Sequence, residues 1–229
     1  LEGSRVRAGI VGGQLNGTVT LADGRFFGIE PVSRALPSAD PSLHVIYDNS
    51  TSAPVPGTCV QLFHDEAPIG QVGGNGGLSG SFYDLAEIAC DTDFEFYQEN
   101  GSSTANTQAD IENILNETDE IYEDELEIQL TITTIIIRSS SNDPYTTSNA
   151  SSFLDQFRAE WLANQGGVVR DTAHLFSGKN LSGGTIGIAW LDALCSTFGY
   201  GLVESNYNGG GTSLANSCLL YTSDAADEG

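Results

Sequence analysis

Residues Arg170–Ser205 read "RDTAHLFSGKNLSGGTIGIAWLDALCSTFGYGLVES" and decide which fold the sequence predicts. Two stretches inside this segment, "TIGIAWL" at 185–191 and "YGLVES" at 200–205, are short and rich in strand-forming residues. A loop that contains Cys195 joins them. The segment therefore predicts two strands connected by a loop.

Upstream of this segment, the sequence alternates between strand-like and helix-like patterns. The stretches "DLAEIACDTDFEFY" at 84–97 and "LEIQLTITTIIIR" at 126–138 are rich in apolar and β-branched residues and predict strands. The stretches 107–126 and 151–167 place apolar residues at intervals of three or four, which predicts two helices. Such alternation predicts a layered α/β or α+β fold with a twisted, largely parallel sheet.

Both predicted helices have start signals and a defined apolar face. Thr107 followed by Asp110 resembles a capping box, while Ser151 or Ser152 caps the second helix, which ends at Gly166–Gly167. The residues predicted to face inward are Ile111, Ile114, Leu115, Thr118, Ile121 and Tyr122 in the first helix and Phe153, Leu154, Phe157 and Trp161 in the second.

Residues 1–69 form a β-rich segment. In "GTVTLADGRFFGIEPV", two short β-prone runs are joined by Asp23-Gly24, a hairpin turn signal, and "LHVIYDN" at 43–49 predicts another strand. Residues 70–81 contain six glycines in twelve positions, which predicts a flexible linker. We therefore predict that residues 82–217 form a second unit.

The chain carries 31 acidic and eight basic residues, a net charge of -23. Nucleic-acid binding requires clustered cations over the phosphates, so this charge argues against nucleic acid as a partner.

No apolar run approaches the roughly 20 residues of a transmembrane helix, so we predict no membrane span. An acidic surface with one lysine, Lys179, suits a secreted protein, because extracellular salt screens the self-repulsion.

The predicted elements resemble, in the same order, the opening half of a zinc endopeptidase of the metzincin clan, in its reprolysin or adamalysin-like branch. The resemblance covers residues 83–206: a strand ending in Asp91, a long acidic helix, a strand leading to "SSSNDP", and then "DTAHLF", "GTIGIAW" and "GLV". It implies an α+β fold of three layers, αβα, whose mostly parallel sheet has an antiparallel edge strand. It also implies that residues 1–69 are a propeptide-like segment.

The resemblance further implies that Gly187, Ile188, Ala189 and Trp190 lie on the edge strand that pairs with a protein or peptide substrate. An edge strand offers unpaired N–H and C=O groups to an extended chain, and small residues let that chain approach. The alternative is an internal strand in which Gly187 permits close packing. The substrate hypothesis therefore requires that one flank of this strand is open.

Hydrolysis in this family uses zinc held by His-Glu-x-x-His-x-x-Gly-x-x-His, in which the Glu deprotonates metal-bound water. The three histidines of this sequence, at positions 44, 64 and 174, form no His-x-x-x-His pair. We therefore expect zinc in the full-length parent, and predict no catalytic residue and no zinc ligand in this chain. His174 is predicted to be structural.

Cysteines and carboxylates outside the strand motif carry further metal-related hypotheses. By the resemblance, Cys59 is a candidate switch thiolate that occupies zinc in a latent precursor; a buried or disulfide-bonded cysteine is the alternative. Cys195 matches a family cysteine and is either unpaired or bridged to Cys90. Asp171 matches a position that helps to bind structural calcium in some relatives. The carboxylates of "DTDFE" at 91–95 predict a solvated strand end in preference to a calcium loop.

The segment "CLLYTSDAADEG" at 218–229 differs in composition from the rest and resembles a translated sequencing adapter. In the family, the zinc helix begins just after the segment that matches "YNGGGTSLANS". We therefore expect residues 218–229 to be a non-native tail and the natural sequence to be truncated before the zinc-binding motif.

These observations predict a catalytically incomplete fragment of a secreted zinc metalloendopeptidase, with calcium as a second candidate cofactor. The alternative is a non-enzymatic, acidic extracellular module for binding or adhesion. That class accounts for the acidity equally well, but it does not account for the order of the family-like elements.

Overall fold

The computed structural model describes residues 3–34, 36–48, 57–63, 84–191, 193 and 196–205. Within these ranges the chain forms ten strands and three α-helices in two sheets. The elements are β1 (Arg5–Val11), β2 (Gln14–Thr20), β3 (Phe26–Pro31), β4 (His44–Asp48), β5 (Thr58–Leu62), β6 (Asp84–Thr92), α1 (Phe94–Glu99), α2 (Thr104–Leu126), β7 (Ile128–Ile136), α3 (Ala150–Asn164), β8 (Thr172–Ser177), β9 (Thr185–Trp190) and β10 (Tyr200–Glu204).

The larger sheet has six strands in the order β5-β9-β10-β8-β6-β7. Neighbouring strands are parallel except β9 and β10, which are antiparallel. The predicted mostly parallel sheet is therefore confirmed. Strand β8 was not predicted, although it lies at the centre of the sheet between β6 and β10. Its Leu175 and Phe176 point to opposite faces and are both buried, so it lacks the alternating pattern of a half-exposed strand.

Helix α3 covers one face of this sheet. Phe153, Leu154, Phe157 and Trp161 are all buried in one cluster with residues of β8, β9 and β10, as their helical spacing predicts. The helix begins after Asn149, whose side chain accepts from the Ser152 amide at 3.0 Å. The predicted serine cap is therefore wrong by two or three residues, because an asparagine side chain caps a helix equally well.

Helices α1 and α2 cover the opposite face. Ile111, Ile114 and Leu115 of α2 lie in a second buried cluster with Phe96 of α1 and Phe176 of β8. Together with α3 they give the predicted αβα arrangement. Helix α2 begins at Thr104, capped by Ser103, and not at the capping box predicted further along.

The smaller sheet is an antiparallel meander of β1 to β4 that lies on the outer side of α2. Its predicted hairpin at Asp23-Gly24 is confirmed: Gly24 adopts φ +83°, which favours glycine, and its amide donates to the Leu21 carbonyl at 2.9 Å. With β5, the described part of residues 1–69 contains five strands. Its role as a propeptide stays a prediction.

Arginines of β1 and of the 3-10 turn Val32–Arg34 after β3 bind carboxylates of α2, a helix with eight acidic residues and no basic one. Arg7 Nη2 lies 2.7 Å from Glu123 Oε2, and Arg34 Nη2 lies 3.2 Å from Asp110 Oδ1. Arg5 pairs with Asp124 in the same way. These contacts dock the smaller sheet on the outer face of α2.

Replacing Phe157 with alanine tests the α3 core. Phe157 is fully buried, and its ring packs edge-on against Tyr145, Trp161 and Tyr200. We expect Phe157→Ala to lower the free energy of unfolding by about 3–5 kcal/mol, because the cavity is lined by rigid aromatic rings. Leu162→Ala, on the exposed side of the same helix, is the control and should cost less than about 1 kcal/mol. Urea unfolding followed by circular dichroism measures both, and equal losses would contradict this core assignment.

Candidate functional site

Strand β9 contains the four residues predicted to hold a peptide, Gly187–Trp190. On one flank it pairs antiparallel with β10. On the other flank it pairs in parallel with β5, where Ile188 lies opposite Val60. The Leu191 amide extends this ladder by donating to the Leu62 carbonyl at 2.8 Å. The prediction that β9 is the edge strand with an open flank is therefore wrong for this chain.

The strand that closes this flank comes from the N-terminal segment, ahead of the predicted linker at 70–81. The boundary predicted between the two units therefore does not separate two sheets. The sequence "TCVQL" of β5 gives no sign of its partner, because pairing over more than a hundred residues leaves no local pattern. The side chains of Ile188, Ala189 and Trp190 are buried, so β9 meets β5 through its backbone groups.

Cys59 lies in β5 opposite Gly187 and is disulfide-bonded. A disulfide sulfur has no thiolate to give to a metal, so the structure contains the disulfide alternative and not the switch thiolate. Cys90 is free and fully buried, and burial raises the pKa of its thiol. The bridge between Cys90 and Cys195 is therefore not formed, and Cys195 itself lies outside the described residues.

Asp91, near the end of β6, is completely buried and accepts five hydrogen bonds. Arg138 binds both carboxylate oxygens, Nε–Oδ1 at 2.9 Å and Nη2–Oδ2 at 2.7 Å. The Tyr145 hydroxyl and the Trp161 indole donate to Oδ2 at 2.7 and 2.8 Å. Burial raises the pKa of Asp91, while these three donors act in the opposite direction. Since every partner is a donor, the carboxylate is ionised and cross-links β6 to α3.

Asp93 is a second buried carboxylate just beyond β6. Its Oδ1 accepts from the Phe96 amide at 2.8 Å and the Gly178 amide at 2.9 Å, which caps α1 and fixes the end of β8. Lys179 Nζ lies 3.5 Å from Oδ2. The predicted solvated strand end at 91–95 is therefore wrong for both aspartates, because these donors compensate for burial of their charges.

Sequence reasoning missed the partner of Asp91, although the sequence contains a signal for it. Arg138 is the only cation between Arg34 and Arg158, and it directly follows a predicted buried strand. In so acidic a chain, a lone cation in that position indicates a paired interior carboxylate.

A comparison with protein-family models assigns the chain to a family. The Reprolysin_5 family, described as metallo-peptidase family M12, matches residues 83–225. The chain belongs to metallo-peptidase family M12. The matched range, which we call the M12 unit, begins just before β6 and includes β9, but it excludes β5 and the smaller sheet. Within the M12 unit, β9 is thus the outermost described strand on its side of the sheet.

Other comparisons add little to the family assignment. No curated protein matches the chain. A solved structure described as "Structure of a chaperone-substrate complex" is similar at 12% sequence identity with a TM-score of 0.49. The match covers 60% of this chain and 25% of that chain, so this chain spans a quarter of its length. We draw nothing about fold or function from it. No helix in the described ranges is long and apolar enough to cross a membrane.

The M12 family implies zinc, but the described residues do not fit a zinc site. They contain no group of three or more His, Cys, Asp or Glu side chains placed to hold a metal. His174 of β8 is buried against Phe176, and its Nε2 has no hydrogen-bond partner among the described residues. His44 of β4 is on the smaller sheet, where its Nε2 accepts from the Leu15 amide at 3.1 Å. His174 is a core residue, as predicted, and residue 64 lies outside the described ranges.

Asp171, the residue predicted to help bind calcium, bonds to backbone groups of β6. Its Oδ2 accepts from the Glu87 amide at 2.8 Å, and its own amide donates to the Glu87 carbonyl at the same distance. These two bonds fix the start of β8 beside β6. No metal-binding group among the described residues includes Asp171, so calcium finds no support there.

The buried His174 makes stability depend on pH. Burial lowers its pKa from 6.5 to about 3, so the unfolded chain takes up a proton below pH 6.5 that the folded chain does not. Stability is therefore complete above pH 6.5 and falls with pH by up to about 1.4 kcal/mol per unit. Between pH 7.5 and 5 we expect the free energy of unfolding of the wild type to fall by about 2 kcal/mol. His174→Leu should not show this fall.

Urea unfolding at a series of pH values measures this loss. Leu175→Val, at another buried position of β8, removes no titratable group and is the matched control, which should lower stability but keep the wild-type pH dependence. Equal pH slopes in wild type and His174→Leu would show that the buried imidazole is not responsible.

Proposed function

We propose that this chain is part of a secreted zinc metalloendopeptidase precursor in which β9 holds an extended peptide substrate by strand addition. The observation that supports it most is that the flank of β9 already binds an extended segment, residues 58–62, from outside the M12 unit. In the proposal, β5 of the precursor occupies the place that a substrate takes later. Strand addition of this kind gives affinity through backbone hydrogen bonds.

The geometry of β9 suits this role. Its buried Ile188 and Trp190 anchor the strand in the core, so its backbone is held in place on the flank where β5 now pairs and where the substrate is proposed to bind. Gly187 has no side chain to obstruct an approaching backbone. The residues proposed to contact substrate are therefore Gly187, Ile188, Ala189 and Trp190, all through main-chain groups.

Zinc belongs to the proposed whole enzyme, where it supplies activated water for peptide-bond hydrolysis. The described residues include no group of side chains placed to hold this ion, so their proposed contribution is to hold and orient the peptide. The non-enzymatic binding module is the other candidate, and membership of the M12 family does not favour it. Secretion is proposed from the acidity and the single lysine of the sequence.

Weakening the β5 ladder tests strand addition. Backbone groups alternate along a strand, and the Leu62 carbonyl bonds to β9, so Val60 also directs its N–H at β9. Val60→Pro removes that donor. We expect the variant to bind a fluorescent peptide copying residues 57–63, with serine at position 59, at least ~10-fold more tightly than wild type. In wild type the tethered β5 competes at an effective concentration of about millimolar.

Fluorescence anisotropy measures the binding, and Val45→Pro in β4 is the control. That change places proline in a strand of the smaller sheet and leaves β5 intact, so peptide affinity should stay at the wild-type level. If Val60→Pro gains no affinity over Val45→Pro, strand addition to β9 is excluded.

A separate measurement tests the predicted catalytic incompleteness. The sequence contains no His-x-x-x-His pair, so we expect the purified 229-residue chain to release no peptides from casein with or without added zinc. The control is the same assay with a known zinc peptidase and its chelated form. Zinc-dependent cleavage that a chelator abolishes would show that this chain assembles a metal centre by itself.

A further inference from the structure

The smaller sheet turns its polar face inward and its apolar face outward. Arg5 and Arg7 of β1 point toward α2, and a Cβ built on Gly9 would touch Asn113 of that helix. Successive side chains of a strand alternate between faces, so Val6 and Ile10 point away from α2. An antiparallel sheet that covers a protein core usually has the opposite arrangement, with its polar face toward solvent.

Strand register extends this apolar side across the whole sheet. Val6 pairs with Val19 and Ile10 pairs with Leu15, so these side chains share a face. The same pairing continues into β3 and β4. We call this surface the outer face; its apolar residues are Val6, Ala8, Ile10, Leu15, Val19, Phe27, Ile29 and Ile46, and the same register places Asp48 and His44 of β4 at its edge.

Much of the outer face is exposed: Val6, Ile10 and Ile46 have 64%, 60% and 67% of their surface accessible, while Val19, Phe27 and Ile29 are half-buried. With strands about 4.8 Å apart and about 3.4 Å per residue, four strands of about seven residues span roughly 450 Å². Apolar patches of about this size are the largest that a typical monomer exposes, and they are often functional.

The charge distribution indicates what binds there. Arg5, Arg7 and Arg34 pair with α2 and do not contribute to the outer face, on which the register places one carboxylate, that of Asp48. Residues 49–229 contain four cations and 26 carboxylates, so a basic partner would be drawn to them and not to the outer face. A second copy of so acidic a chain is repelled least where two such apolar faces meet.

We propose that the outer face is the interface of a homodimer, in which two smaller sheets stack face to face about a two-fold axis. Flat apolar sheets are self-complementary and pack about 10 Å apart, as in β-sandwiches. Two such faces give a footprint of about 900 Å², just below the range of stable specific interfaces, so the dimer is weak and concentration-dependent. The proposal does not depend on the peptidase function.

Sedimentation velocity of the 229-residue chain between about 1 and 100 µM tests the dimer. We expect the wild type to shift from monomer toward dimer over this range. Ile10→Glu places a charge between the stacked faces, on the edge strand β1, and should weaken association at least ~10-fold. Raising NaCl to 1 M should preserve or strengthen association, because it screens repulsion between the acidic remainders.

Val169→Glu is the matched control, because Val169 is 70% exposed but lies in the M12 unit, far along the chain from the outer face. It should dimerise as the wild type does. If Ile10→Glu loses its circular dichroism signature, Val6→Glu replaces it on the same face. A wild type that stays monomeric at 100 µM overturns the proposal, because the outer face would then have another occupant. A dimer that neither Ile10→Glu nor Val6→Glu weakens also overturns it.

Discussion

The ionised carboxylate of Asp91 is the constraint around which the M12 unit is arranged. It lies at the centre of contacts with Arg138 beyond β7, Tyr145 in the following segment, and Trp161 in α3. Removing one partner from such a buried pair typically costs about 3–5 kcal/mol, because the remaining charge stays desolvated. All three elements must therefore hold one geometry, and α3 is fixed over the sheet. The aromatic residues of α3 pack in one cluster with residues of β10 and β9. Helix α3 therefore connects the Asp91 contacts to β9.

The same rule, that a buried charge needs a partner, explains the reversed polarity of the smaller sheet. Helix α2 uses one face for the core and presents carboxylates on the other, where Asp110 and Glu120 are buried on the side of β1 and β2. A sheet can cover such a helix only with a polar, cationic face, and Arg5 and Arg7 of β1 supply it together with Arg34 from the turn after β3. The apolar side chains of the alternating strands are then left on the outside. The exposed outer face is thus a consequence of the acidity of α2.

Local patterns in the sequence predicted the local parts of this fold. The apolar face of α3, from Phe153 to Trp161, repeats every three or four residues, and the turn at Asp23-Gly24 needs a glycine for its positive φ. Features that depend on distant partners were missed. Strand β8 is apolar on both faces and contains a histidine, and nothing in its sequence gives its place at the sheet centre. The burial of Asp91 and Asp93 depends on donors far along the chain, since a paired and a solvated carboxylate have the same sequence.

The flank of β9 shows most clearly why an edge cannot be predicted from the residues of a strand. The sequence "TIGIAW" suits both an edge strand and an internal one, and only the position of β5 distinguishes them. Within the M12 unit β9 is outermost among the described strands, and when the described strands outside that unit are included it is second, after β5. The N-terminal segment contacts the M12 unit at two separate places, through backbone bonds at β9 and through ion pairs at α2. Release of β5 therefore need not undock the smaller sheet, because the two contacts involve different residues. They also differ in kind: salt screens the ion pairs but not the backbone hydrogen bonds. A substrate that competes for β9 has to displace one short strand and not a whole layer.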